Sequence, residues 1–465
     1  MKIKFIIIGL LSFLLIISIF NVFSSSKSEI LYDLNNSMDK EDFQTSDTLS
    51  TDLMTTEFNY VVEKILDVHP DPKRYLNQNG WDELIVATER QLAKPLQITE
   101  YFYVIQSFVS EIRDSHTFVY PSTIKSRVLP LELQWVGDEL VVTDSSVENI
   151  SHGDELTHIE GKEINEIMDS LTTIISSEND YWIKHLSRQF ITQEKFLKEI
   201  LTVEGNSLAV TVSDTEKTSK NINVHWVTPE EANQSSADEE TWYGYELDQE
   251  NNIGYYFLNE SNVTAEYEQN VREFFKEVEE QQLENIIIDL RKNGGGDSGV
   301  SDVFIRHLPE NTYKNFGTVT RFSEPASVQR GYEQVDGYEE HPPSVVQNRV
   351  LKPTFNGDVY ILTGHGTYSS ANMFAVLFHD SDLGTIIGEP TGNAPGSFGD
   401  ILHFPLPYTG FDLLISHKEF LRPHSSMDNY TSLYPDILVE IKKEDIIKQE
   451  DGQLQRVKNI IKDLN

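Results

Sequence analysis

Residues 286–296 read Ile-Ile-Ile-Asp-Leu-Arg-Lys-Asn-Gly-Gly-Gly, an apolar run that enters a glycine turn without interruption. The β-branched stretch Ile286 to Leu290, bounded by turn residues, predicts a strand buried on both faces. Three successive glycines let the backbone turn sharply and bring bare N–H groups up to a ligand oxygen. No Gly-Lys-Ser/Thr follows, which removes a P-loop, and the glycine spacing fails the dinucleotide-binding fingerprint. Outward from this strand, Ile253–Leu258, Val359–Thr363 and Leu413–Ser416 read as further strands. Between them Val271, Phe274, Phe275 and Val278 mark one face of a helix. Strands alternating with helices argue for a layered α/β domain.

Two other stretches carry chemistry-bearing residues at a turn. Residues 359–378 (VYILTGHGTYSSANMFAVLF) run from a strand through Gly364 and Gly366 to Ser369 and Ser370 at the head of a helix. A serine there exposes its hydroxyl, and the Ser370 N–H is a free helix-terminal donor. Capping the helix is the commonest task for such a serine. Residues 107–121 (SFVSEIRDSHTFVYP) end a helical run at Asp114-Ser115-His116-Thr117 and then turn apolar.

Around this unit the chain divides into segments. Residues 1–26 place Lys2 and Lys4 before an uncharged run from Phe5 to Phe23, long enough to cross a hydrocarbon core, so a cleaved signal and a retained anchor both fit. Residues 27–52 are polar and acidic and read as a linker. Residues 53–127 show helical spacing and read as a small helical subdomain. Residues 128–227 change pattern: Leu131, Leu133 and Trp135 alternate, Gly137-Asp138 turns, and Leu140–Val142 returns as a hairpin. Within them Gly153-Asp154, a short strand Leu156–Ile159, a turn at Gly161 and a helix bearing Ile164, Ile167 and Met168 resemble a PDZ module. That resemblance implies capture of an extended peptide tail as an added strand. Thr228–Thr241 is a polar boundary, and residues 240–465 form the final unit.

Composition narrows the function classes. The 465 residues contain no cysteine, so disulfides, thiolate metal sites and a cysteine nucleophile are absent, and there is no cysteine to acylate. Lys plus Arg number 37 against 75 Asp plus Glu, a net charge of −38, opposite to what a phosphate backbone attracts. Nucleic acid is therefore not an expected partner, and the acidity suits solubility in a salty or alkaline exterior.

Taken together the three stretches resemble the tail-specific, or C-terminal processing, serine peptidase family, over most of the chain from Leu53 to Asn465. The resemblance rests on Ile288-Asp289-Leu290-Arg291-Lys292-Asn293-Gly294-Gly295-Gly296, on Thr367-Tyr368-Ser369-Ser370-Ala371-Asn372, on Gly388-Glu389-Pro390-Thr391 and on Tyr434-Pro435-Asp436. It implies an α/β catalytic domain, layered β-β-α like crotonase and Clp protease, carrying an inserted PDZ-like β-rich module and an N-terminal helical subdomain. The processing-peptidase branch carries a lysine base three residues after Gly-Glu-Pro-Thr, where this chain has Ala394, and many relatives carry glutamate at Asn372. The tricorn-core-like branch uses a histidine from an Asp-Ser/Gly-His turn, which Asp114-Ser115-His116 supplies.

By that resemblance Ser369 is the nucleophile, His116 the general base and then acid, and Asp428 the carboxylate orienting the imidazole. Ser115 would relay to that carboxylate, and the N–H groups of Gly295 and Ser370 would form the oxyanion hole. His365 and His424 are rival bases. The chemistry needs such a set on any fold, because a hydroxyl is a weak nucleophile until an imidazole takes its proton. The implied activity is an extracytoplasmic, secreted or membrane-anchored serine endopeptidase acting on polypeptide through an acyl-enzyme, with no cofactor. The substrate could be held by its C-terminal tail, with the membrane touched only by the N-terminal segment. An inactive homologue that binds peptide tails is the alternative that Ala394 and Asn372 motivate.

Overall fold

The computed structural model describes residues 43–202, 205–233, 241–424 and 431–464. The N-terminal segment 1–26, most of the expected linker and Asp428 lie outside them. No described helix is long and apolar enough to cross a membrane.

Ile286 to Leu290 forms a strand, Asn285–Asp289, in the middle of a six-stranded sheet. The order is Tyr243–Asp248, Ile253–Leu258, Asn285–Asp289, Asp358–Thr363, Thr385–Gly388, Ile437–Leu438, parallel except for the first antiparallel pair. Both faces of the strand are covered, which is why it reads as an unbroken apolar run. Ile286 and Ile288 face a core made with the helices Ala265–Glu280 and Ser370–Asp380. Ile287 faces the opposite core, closed by Val457 and Ile461 of the helix Gly452–Leu464. All four residues expected on the inner face of the helix Ala265–Glu280 are buried.

A second, antiparallel sheet lies beside the first, in the order Gly337–His341, Gly317–Phe322, Asp412–Leu421, Ser397–Pro405. Leu413–Ser416 belongs here, in the long strand Asp412–Leu421, and not among the strands that alternate with helices. Its alternation with polar neighbours is hidden, because its first six residues are all buried.

The N-terminal helices Thr51–Val68, Gln78–Gln91 and Ile98–Ser110 pack onto this second sheet: Leu402, Phe404, Leu413 and Ile415 share one continuous core with Phe58, Ile65, Tyr101 and Phe108. The strand Phe118–Tyr120 pairs with Asp412–Leu414 and fixes the register between them. Pairing also reaches back before residue 53, with Thr48–Leu49 against Leu96–Gln97 and a bridge from Phe43 to Ile124. Ser50 caps the first helix by accepting from the Leu53 N–H.

The β-rich module forms a third sheet in the order Leu131–Val136, Glu139–Ser145, Glu155–Ile159, Ser207–Ser213, Ser219–His225, with the short strand Lys162–Glu163 on Glu155–Ile159. The expected hairpin turns at Gly137 with φ +60°. The helices Ile164–Thr172 and Asp180–Phe190 follow, and the segment between them reaches toward the catalytic unit.

Candidate active site

The glycine turn and the Ser369 turn leave adjacent parallel strands, so both loops emerge at the same edge of the central sheet. Backbone and short side chains stitch them together. Thr367 Oγ1 donates to the Leu290 carbonyl at 2.9 Å, the Tyr368 N–H to the Asn293 carbonyl at 3.0 Å, and Ser370 Oγ to the Gly296 carbonyl at 2.6 Å. A Cβ on Gly295 would lie 2.6 Å from Ser369 Cβ, so only glycine lets the two loops approach this closely. Gly296, at φ +132°, holds its own backbone against Ser261, where a Cβ would meet the carbonyl oxygen at 2.1 Å.

Ser369 sits at φ +53°, ψ −124°, a strained conformation for a residue other than glycine. It stands at the N-terminus of the helix Ser370–Asp380 without capping it by its side chain. Its N–H donates to Asn393 Oδ1 at 2.8 Å, and its carbonyl accepts from Met373. Asn372 Nδ2 donates to the carbonyls of Asn393 and Ala394 and so holds the loop that carries Asn393. The position that bears a lysine in the processing-peptidase branch, Ala394, is thus buried and bonded through its backbone. Of the two expected oxyanion donors, the Ser370 N–H heads the helix and makes no hydrogen bond among the described residues. The Gly295 N–H is held by Asn293 Oδ1 at 2.9 Å.

Asp114-Ser115-His116 arrives from the other direction, between the helix Ile98–Ser110 and the strand Phe118–Tyr120. Asp114 is fully buried and saturated: Oδ1 accepts the His116 N–H at 3.0 Å, and Oδ2 accepts Thr117 Oγ1 and Ser416 Oγ at 2.6 Å each, with His69 Nε2 at 3.2 Å. Burial disfavours its charge, but the hydrogen bond and charge of His69, with His116 and Ser416, outweigh that and hold the carboxyl down at about 2.

The His116 ring stacks on Tyr368 at 4.6 Å and 22°. Tyr368 in turn lies flat on Trp182 at 3.9 Å and 8°. The imidazole is therefore placed against the residue preceding Ser369. It is 8% exposed, and neither ring nitrogen has a hydrogen-bond partner among the described residues, so no hydrogen bond joins it to Ser369 in this state. Burial pulls its pKa below the ordinary imidazole value, partly offset by Asp114.

Sequence reasoning missed Glu178, which follows the helix Ile164–Thr172. Its Oε1 accepts both the Ser115 N–H at 3.2 Å and Ser115 Oγ at 3.0 Å, and Tyr368 Oη donates to Ser115 Oγ at 3.0 Å. Its Oε2 is buried without a partner. Burial first, and then the charge of Asp114, raise its pKa to about 7. Asp114, His116 and Glu178 each bring one nitrogen or oxygen atom within 4.8 Å of the others. Nothing local distinguishes Glu178 from the other acids of the chain. Of the rival bases, His365 packs against Tyr181, and burial first, then Lys184 and Arg188, lower its pKa to about 4. His424 donates its N–H to Asp380.

Residues 252–423 match the family model for peptidase family S41. Comparison with curated proteins finds no match. Among solved structures the chain is similar to mature CPAF complexed with lactacystin, with a TM-score of 0.67 and 14% identity over 88% of this chain and 98% of that one. Mature CPAF alone gives a TM-score of 0.66 with 14% identity over 88% and 97%. A photosystem II D1 C-terminal processing protease aligns at a TM-score of 0.45 with 13% identity over 86% and 96%. At these identities the CPAF likeness is one of fold, and the family model supplies the class. Residues 252–423 thus carry a peptidase family S41 domain, and that domain makes the protein a serine-type peptidase acting on polypeptide.

Proposed function

We propose that Ser369 is the nucleophile of an acyl-transfer site whose base is His116. The observation that carries this reading is the strained Ser369 backbone at a strand-to-helix turn, packed against Gly295 and preceded by the residue on which His116 stacks. Strain of this kind persists where surrounding contacts over-determine it, and here those contacts are the Asn393 and Met373 hydrogen bonds. In acylation Ser369 Oγ bonds the scissile carbonyl carbon while its proton passes to His116. The carbonyl π pair becomes the oxyanion, and collapse breaks the C–N bond as His116 returns the proton to the leaving amine. Water then repeats the sequence on the ester.

The oxyanion is stabilised by the Ser370 N–H and by Gly295, whose N–H exchanges Asn293 for the substrate, at about 3 kcal/mol per donor. Ser115 supports the histidine turn, and no metal or organic cofactor takes part. Asp428, assigned to the imidazole from the sequence, lies outside the described residues. The β-rich module is PDZ-like in role, presenting an extended C-terminal tail. Together with the apolar, lysine-led residues 1–26, it suits an enzyme working outside the cytoplasm, secreted or anchored by that segment.

The bare His116 nitrogens favour a second reading, a homologue that binds tails without cutting them. Catalytic hydrogen bonds often close only with substrate present. The two readings separate on mass-spectrometric analysis of new termini after the full chain meets an unfolded polypeptide. Loss of turnover by about 10⁴-fold or more in both Ser369→Ala and His116→Ala is expected. Cleavage retained in either removes the role assigned to that residue, and no cleavage by the parent with retention of C-terminal peptides supports the binding homologue.

A further inference from the structure

The buried polar cluster behind Ser369 contains two groups that lack partners and lie close together. Both His116 ring nitrogens and Glu178 Oε2 are unpaired, and a ring nitrogen and a Glu178 carboxylate oxygen approach within 4.8 Å. Unpaired buried polar atoms are costly, so two within reach of one another call for a direct contact in some state of the site. Asp114 is poorly suited to supply it. Its oxygens already accept four hydrogen bonds, and Oδ1 stands 3.9 Å from His116 Nδ1.

Glu178 is different. Its Oε1 is tied to the backbone N–H and hydroxyl of Ser115, the residue next to His116, which leaves Oε2 free to turn to the ring. The following residue, Asn179, is pinned by Nδ2 to the carbonyls of Gly392 at 3.0 Å and Thr431 at 2.7 Å, and its Oδ1 caps the next helix by accepting from Trp182. A carboxylate delivered by the β-rich module is thus tied to the histidine turn through Ser115 and to the catalytic unit through Asn179.

We infer that Glu178, rather than Asp428, is the residue that positions the His116 imidazole, by accepting its Nδ1–H on Oε2 when substrate is bound. The inference rests on His116 being the base. Transfer of the Ser369 proton makes an imidazolium, and an ionised Glu178 stabilises that charge and fixes the tautomer. The groups facing Glu178 are Asp114, Ser115 and His116 from the histidine turn, Tyr368 from the loop of Ser369 and Tyr75 from the turn between the first two N-terminal helices; only Asp114 is another acid.

Burial and Asp114 make ionisation of Glu178 unfavourable in the folded state, so this carboxylate lowers stability as pH rises from the ordinary glutamate range through about 7. A group retained for structure would do the reverse, and that supplies a readout independent of rate. In Glu178→Gln, kcat on fluorescently labelled casein should fall about 100-fold with KM within threefold. The acid limb of kcat/KM should move to lower pH, and the melting temperature above pH 7 should hold or rise. Glu178→Asp should recover part of the rate.

The His116 imidazole pKa, followed by NMR with its signal assigned through His116→Gln, should fall by about half a unit or more in Glu178→Gln. Rate within threefold of the parent, an unmoved imidazole titration, or a lowered melting temperature without rescue by aspartate would overturn the inference. A 100-fold loss in Asp428→Asn with Glu178→Gln silent would give the role to Asp428. Cleavage surviving in His116→Ala would instead remove the base assignment on which the inference stands, and the NMR arm reads the contact even if casein is not cut.

Discussion

The two halves of the site are held by different forces. The Ser369 half is a backbone construction: two loops at the edge of a parallel sheet, joined through carbonyls of Leu290, Asn293 and Gly296 and admitted to contact by Gly295 and Gly296. The His116 half is a side-chain construction, in which Asp114, His69, Ser416, Ser115, Glu178 and Tyr368 meet from five separate segments. In the first, sterics decide and shape tolerates no change. In the second, hydrogen bonds and burial decide, and pH can reach them. The contrast teaches that the place of Ser369 is set when the sheet forms, whereas that of His116 is set by docking the N-terminal helices and the β-rich module.

The largest effect should come from the backbone half. Gly296→Ala forces a Cβ to within 2.1 Å of the Ser261 carbonyl at a φ of +132°, and should cost about 4 kcal/mol from strain and overpacking together. Gly161→Ala, at φ +75° with nothing within 4 Å, should cost only about 1 kcal/mol. Urea unfolding of both variants checks the difference. Equal costs would show that the glycine turn is not sterically decided, and the contrast between the halves would fail at its first term.

Asp114→Asn addresses the side-chain half. An amide cannot accept all four donors, so stability at pH 7 should fall by about 2–3 kcal/mol. The carboxyl titrates lower in the folded chain than its unfolded value of about 3.9, so its contribution is present above that pH and is lost as pH falls toward 2. The gap between parent and variant should therefore narrow by pH 3. A gap independent of pH would mean that Asp114 acts by shape alone, which would erase the distinction between the halves.

The same contrast explains what the sequence disclosed. The strand Asn285–Asp289 and the helices Ala265–Glu280 and Ser370–Asp380 were legible because each is specified by local periodicity and bounded by glycine or a polar cap. The approach of the glycine turn to Ser369 followed from the family motif, whose glycines have a steric reason in the structure. The antiparallel sheet around Asp412–Leu421 was not legible, because its strand is buried along most of its length and lacks alternation. Glu178 was invisible for another reason. It lies 63 residues from Ser115, on a module whose docking no local pattern encodes.

The smallest expected effect lies where the halves touch. Tyr368 belongs to the nucleophile loop by its backbone, yet its hydroxyl donates to Ser115 Oγ, which donates onward to Glu178. Tyr368→Phe keeps the ring that stacks between His116 and Trp182 and removes only the head of that chain. One hydrogen bond among buried partners contributes about 1 kcal/mol. Because Ser115 keeps its bond to Glu178, stability should drop by no more than that and turnover by less than tenfold, as read from urea unfolding and casein hydrolysis. A drop as large as that of Glu178→Gln would mean that the phenol, and not the carboxylate, orders the histidine turn, so that the two halves act as one unit.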